Sequence, residues 1–220
     1  LQLELSTDVF AAVCDGVGLG TVVALLRTSK VLHRRVRAYL GRLQMISGAE
    51  AAELAPVELG AILSAANGLK ELDLSRTMAD TPFIITILGH AAIPRVPGLK
   101  QLRRLCVSRA EGSLLYALPD ACPQLVSLAV SEREVDTGGL IFLLDKLRNL
   151  ADLELEQFEL LSDSVTVELQ EFGLQHIGLR SLSCSAAPPC DAGLLHSTLQ
   201  AFPRLDRLTV ALCGPDSYSE

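Results

Sequence analysis

The residues of this 220-residue chain best placed to do chemistry are charged ones. Asp152, Glu154 and Glu156 stand at alternate positions of one stretch, Glu71 and Asp73 stand the same way in an earlier one, and Arg104 lies in a stretch between them. Alternate residues of a strand share a face, so three acids would crowd one surface, where like charges repel. What this offers is a site for a basic segment of a partner protein; ordinary surface charge in an acidic chain is the other reading that fits. Covalent chemistry has less support. No Ser, Cys or His stands in a G-x-S-x-G, H-E-x-x-H or G-x-x-x-x-G-K pattern. Gly16-Val-Gly18-Leu-Gly20 is followed by Thr21, fails the dinucleotide spacing, follows no strand, and reads as a turn between helices. Cys184 and Cys190 with His176 and His196 match none of the common zinc spacings. The expectation is a chain without catalysis, metal or cofactor.

The charged positions belong to a recurring pattern. Leu69-Lys-Glu-Leu72-Asp-Leu74 has a spacing that returns at Leu102, Leu125, Leu150, Leu179 and Leu205, each time after a short amphipathic segment. Leu40-Gly-Arg-Leu43-Gln-Met45 reads as an earlier copy, giving offsets of 29, 33, 23, 25, 29 and 26 residues between first leucines. Such offsets lie in or just above the range of leucine-rich repeats. Each unit is then a strand, a loop and a helix-period segment. The expected helices are Glu58 to Ala66, Pro82 to His90, Gly112 to Ala121, Thr137 to Lys146, Val165 to His176 and Cys190 to Phe202. The pairs Asn67-Gly68, Pro97-Gly98, Cys122-Pro123 and Phe202-Pro203 mark the helix stops. Pro94 and Pro97 fall in the longest interval, where an enlarged loop is expected.

In this pattern the leucines point into a core and the alternate residues point out. The outward columns read Arg42-Gln44-Ile46, Glu71-Asp73-Ser75, Arg104-Cys106-Ser108, Ser127-Ala129-Ser131, Asp152-Glu154-Glu156, Ser181-Ser183-Ser185 and Arg207-Thr209-Ala211. At about 4.8 Å per strand the face runs roughly 30 Å, the size of a peptide or a domain surface. The positions where the motif commonly carries asparagine hold Gly48, Thr77, Ala110, Arg133, Phe158, Ala187 and Cys213, which predicts shallow, irregular curvature.

Composition narrows the setting. The chain is 49% apolar with net charge −7, yet residues 1 to 48 carry six Lys and Arg against three acids, and residues 49 to 220 carry 13 against 23. With three Tyr, six Phe and no Trp, the basic part lacks the stacking residues of single-strand nucleic-acid binders, so nucleic acid is not an expected partner. No run approaches the roughly 18 apolar residues of a membrane span, and Leu1-Gln-Leu-Glu-Leu5 has no basic leader region. The expected location is intracellular, cytoplasmic or nuclear, with no membrane. Six scattered cysteines without a C-x-x-C pair read as reduced packing residues.

Residues 5 to 47 leave the repeat spacing and read as three helices, about 6 to 16, 19 to 29 and 30 to 40. The string Leu5-Ser6-Thr7-Asp8-Val9-Phe10-Ala-Ala-Val13, then Gly18-Leu19, Val22, Leu25 and Thr28-Ser29-Lys30-Val31-Leu32 to Val36, resembles the F-box. Ser6 replaces that motif's usual proline, and Leu32 stands where tryptophan is common. An F-box followed by irregular leucine-rich repeats is the arrangement of a large class of F-box proteins. The resemblance implies an α/β chain with a short three-helix F-box-like region over residues 1–43 and an irregular repeat solenoid of about six to seven strand–helix units over 44–220.

It also implies a function, the substrate-recognition subunit of an SCF-type cullin-RING ubiquitin ligase. Leu5, Ser6, Val9, Phe10, Val13, Val17, Leu19, Val22 and Leu25 would face a Skp-type adaptor or support that surface, about half of them packing the helices together. Arg27, Lys30, Arg34, Arg35, Arg37 and Arg42 would steer an acidic adaptor, or form a solvated face. The alternatives are a repeat scaffold whose N-terminal helices only cap it, and a GTPase-activating repeat protein.

Overall fold

A computed structural model of the chain describes residues 7–25, 30–77, 97–107, 113–131, 137–159, 178–186, 196 and 199–212. Three helices open it: α1 (Thr7–Asp15), α2 (Leu19–Leu25) and α3 (Lys30–Leu40). The strands are β1 (Met45–Ile46), β2 (Glu71–Leu74), β3 (Arg104–Val107), β4 (Ser127–Ser131), β5 (Asp152–Glu159), β6 (Ser181–Ala186) and β7 (Arg207–Leu212). They form one seven-stranded parallel sheet in sequence order. Between strands lie α4 (Gly48–Ala52), α5 (Pro56–Ala65), a 3-10 helix (Pro97–Gln101), α6 (Ser113–Ala121) and α7 (Thr137–Lys146). The architecture is α/β. The segments Pro82 to His90 and Val165 to His176 lie outside the described residues, and of Cys190 to Phe202 only the last few are described, 199–201 being helical.

A turn repeats ahead of the strands. The N–H of five of the first leucines donates to the carbonyl three residues before it: Leu69 to Ala66, Leu102 to Leu99, Leu125 to Cys122, Leu150 to Leu147 and Leu205 to Phe202. Leu43 donates to Leu40 in the same way, at 3.1 Å. The first unit therefore starts at Leu43, three residues later than the leucine spacing suggests, and Leu40 is the last residue of α3. The misreading has a physical source. Buried residues recur every third position through the turn and into the strand, so a one-step slip preserves the spacing, and Gly48 stands where the other units carry a large apolar residue. With the corrected start, Ile46 aligns with Leu72 and is fully buried, while Met45 aligns with Glu71 and is exposed. The column Arg42-Gln44-Ile46 is replaced by Met45 and Ser47, and the commonly asparagine position of this unit falls on Ala51. At Thr77 the hydroxyl and the N–H both donate to the Leu74 carbonyl, at 2.8 and 3.1 Å, which anchors that turn without asparagine.

A second periodic feature ties the strand starts together. The carbonyls of Gln44, Lys70, Arg103, Val126, Ala151 and Arg180 each accept two consecutive N–H groups from the next strand, at 2.7–3.0 Å. The core beneath is one hydrophobic cluster reaching from Phe10 to Phe202, with Leu72, Leu105, Leu128, Leu153 and Leu182 buried one per strand. Burying a leucine side chain contributes roughly 1.5–3 kcal/mol, so this column is the main reason the strands stack in register. The N-terminal helices join the same cluster, α2 and α3 packing on α5. Tyr39 donates to the Asp15 carboxylate at 2.8 Å and ties α3 to α1.

Candidate functional site

The register lays two rows of side chains across the face of the sheet. Glu71, Arg104, Ser127, Asp152, Ser181 and Arg207 align in the first row, and Asp73, Cys106, Ala129, Glu154, Ser183 and Thr209 in the second. Five of the six residues expected to bind a partner, Glu71, Asp73, Arg104, Asp152 and Glu154, line a single groove of about 340 Å³. It exists because its middle is floored by short side chains, Cys106, Ser127 and Ala129 on β3 and β4 and Ser181 and Ser183 on β6. Met45 and Ser47 close one end. Glu156 pairs with Ser131 on β4. The register then slips after Leu155, so that Ser185 faces Glu159. The last residues of those two columns, Glu156 and Ser185, are therefore not register partners: β5 carries extra residues there relative to β6.

The acids differ in how free they are. Asp73 is half-buried and its oxygens are engaged. Burial by itself would raise its carboxyl; the neighbouring Ser75, the N–H of Gly48 and the Cys106 thiol favour the charged form and hold it below the ordinary value. The Ser75 N–H lies at 2.8 Å from Asp73 Oδ1, and Gly48 opens α4, whose exposed N–H groups favour a negative charge. A Cβ on Gly48 would come within 2.9 Å of Asp73 Oδ2. Asp73 thus lines the groove from beside the start of α4, less free than the exposed acids. Asp152, Glu154, Glu71 and Arg104 are exposed. Among the described residues the ion pairs are those of Asp145 with Lys146 and Arg148, and none engages these four.

Among the described residues, Cys14, Cys106, Cys122 and Cys184 form no disulfide. Burial pushes Cys122 up to about 12. Cys106, in the groove floor, is raised first by burial and then by the Asp73 charge. A thiol kept protonated is a poor nucleophile and a poor metal ligand. Cys190 and His176 lie outside the described residues; among the described ones no group of three or more His, Cys, Asp or Glu is placed to hold a metal.

The second set of expected site residues divides by burial. Phe10 is 5% exposed, Leu19 7% and Val22 0%, so these three fill the core between the helices. Val13 and Val17 are 53% and 38% exposed and face outward; Leu25 packs against the core from its edge. Val9 belongs to α1, and Leu5 and Ser6 lie outside the described residues. On α3 and the turn after it, Arg34, Arg37 and Arg42 are exposed and Arg35 is half-buried.

One feature beside the groove escaped the reading of the sequence although its signature is present. Ser47-Gly-Ala-Glu50 is a capping box: Glu50 Oε2 accepts from the Ser47 N–H at 2.9 Å, and Ser47 Oγ accepts from the Glu50 N–H at 3.4 Å. It starts α4 and so positions the Gly48 N–H beside Asp73. No protein-family model matches the chain, and no curated protein is found similar to it. Among the described residues, no helix is long and apolar enough to cross a membrane.

Proposed function

We propose that this chain is a non-catalytic protein-recognition subunit, an irregular leucine-rich repeat solenoid whose sheet face receives a segment of a partner protein. The observation that carries the reading is the groove across β1 to β6, with Asp152 and Glu154 exposed over short side chains. Its length across several strands suits a polypeptide. We further propose that the N-terminal helices act as an F-box, docking the chain on the Skp-type adaptor of a cullin-RING ubiquitin ligase so that the bound partner becomes its substrate. Support comes from the three-helix order, from Val13 and Val17 standing outward, and from the exposed arginines of α3.

The burial of Phe10, Leu19 and Val22 favours a second reading, in which the helices only cap the sheet. Calorimetric titration of the chain with a purified Skp-type adaptor separates the two. Saturable binding, weakened at least about tenfold (1.4 kcal/mol) by Val13→Asp or Val17→Asp at unchanged thermal stability, supports the adaptor reading. Absence of binding by the folded wild type leaves the scaffold. Phe10→Asp is unsuited as a control, because a charge there is buried and the helices come apart.

A further inference from the structure

In the first row Glu71 stands directly beside Arg104, and from Arg104 onward charges of alternating sign stand at even spacing. Arg104 on β3, Asp152 on β5 and Arg207 on β7 are exposed and separated by Ser127 on β4 and Ser181 on β6. Successive charges are thus two strands, or about 10 Å, apart. The second row adds Glu154 two residues from Asp152 on the same strand, which doubles the negative charge between Arg104, with Glu71 at its other side, and Arg207. Two neighbouring carboxylates on one face repel each other and gain most from a cation that bridges them, best a guanidinium, which can donate to both. The serines between are short and offer both donor and acceptor to a passing main chain. Glu71 has Arg104 beside it and Asp73 is half-buried, so the two exposed acids whose register neighbours carry no charge lie on β5.

We propose that the occupant is an extended protein segment running across the strands, with one Arg or Lys over Asp152 and Glu154 and an Asp or Glu on each side of it facing Arg104 and Arg207. This rests on the reading of the face as a protein receptor and narrows it from a basic partner to one of alternating charge. Same-face residues of an extended chain lie about 7 and 13 Å apart at two and four residues. These distances bracket the spacing of the charges, so the acids sit two or four residues from the base. A uniformly basic segment is disfavoured, since its flanks would meet Arg104 and Arg207.

The test is selection of a displayed library of random peptides on the immobilised full chain. It is repeated on the double variants Asp152→Ser with Glu154→Ser and Arg104→Ser with Arg207→Ser, after checking that their thermal melts match the wild type. The wild type should enrich peptides with a central Arg or Lys flanked by acids. The first variant should lose the base and the second the acids, and a selected peptide should bind the first at least about tenfold more weakly. Charge reversal by Asp152→Lys with Glu154→Lys should switch the selected centre to Asp or Glu. Peptides that need the groove but lack this alternation would overturn the inference and leave the receptor reading standing. Selection of no peptide, or of peptides insensitive to every variant, would overturn both.

Discussion

Asp73 lines the groove, yet it is half-buried and accepts the N–H of Ser75, which sets it apart from the exposed acids. Its spacing from Glu71 places it on the outer face, but spacing is silent on Ser75, Gly48 and Cys106, which stand beside it from the turn after β2, from α4 and from β3. Replacing it by alanine should cost about 1–2 kcal/mol in urea unfolding, the scale of a lost helix cap with its hydrogen bonds. The pH dependence has a defined sign. Because the folded carboxyl lies below its ordinary 3.8, its contribution is present above that value and is lost as pH falls through the folded one. Acid titration of stability should therefore be steeper in the wild type than in Asp73→Asn. Two glycines make a paired prediction. Gly60, inside α5 with nothing within 4 Å of an added Cβ, should gain about 0.5–1 kcal/mol on Gly60→Ala through helix propensity. Gly48→Ala should destabilise instead, since the new methyl meets the Asp73 carboxylate. Thermal melts of both variants read the two signs directly.

The elements follow from spacing where the pattern is redundant and fail to follow where it is not. Leu128, at the centre of the sheet and 1% exposed, should cost about 2–5 kcal/mol when cut to alanine, measured by denaturant unfolding. Strands β2 to β7 were legible because each carries inward leucines, valines or cysteine at alternate positions after a turn. Helix α7 begins at Thr137 and ends at Lys146 as its apolar spacing predicts. The first strand was misplaced because Leu40 and Leu43 satisfy the same three-residue spacing and only the turn hydrogen bond between them sets the register. Helix α4 was missed because five residues are too few for a hydrophobic period to show, although Ser47 and Glu50 announce it. At the candidate site, alternation alone put Glu71, Arg104, Asp152 and Glu154 on one face. What it could not supply was depth, which depends on the small residues of β3, β4 and β6 lining up beside each other.

At the scale of the whole molecule, neighbours in the sheet are also neighbours in the sequence. The loops that must close are short compared with the chain, which favours fast folding and lets the sheet grow outward from any pair of strands. The paired N–H groups on each carbonyl make every strand start a double latch to the strand before it. Among the described residues β7 is latched on one side only, and Leu205, Leu208 and Val210 are packed against the core less completely than their counterparts on β4 and β5. Opening should accordingly begin at β7 and move inward, so that amide hydrogen exchange is slowest in β3 to β5 and fastest in β7. Exchange profiles of equal depth across all strands would contradict this order. A segment bound from Arg104 to Arg207 would span the least buried strand and the most buried ones together. Recognition then also holds β7 against opening, and the largest slowing of exchange on binding belongs to β7.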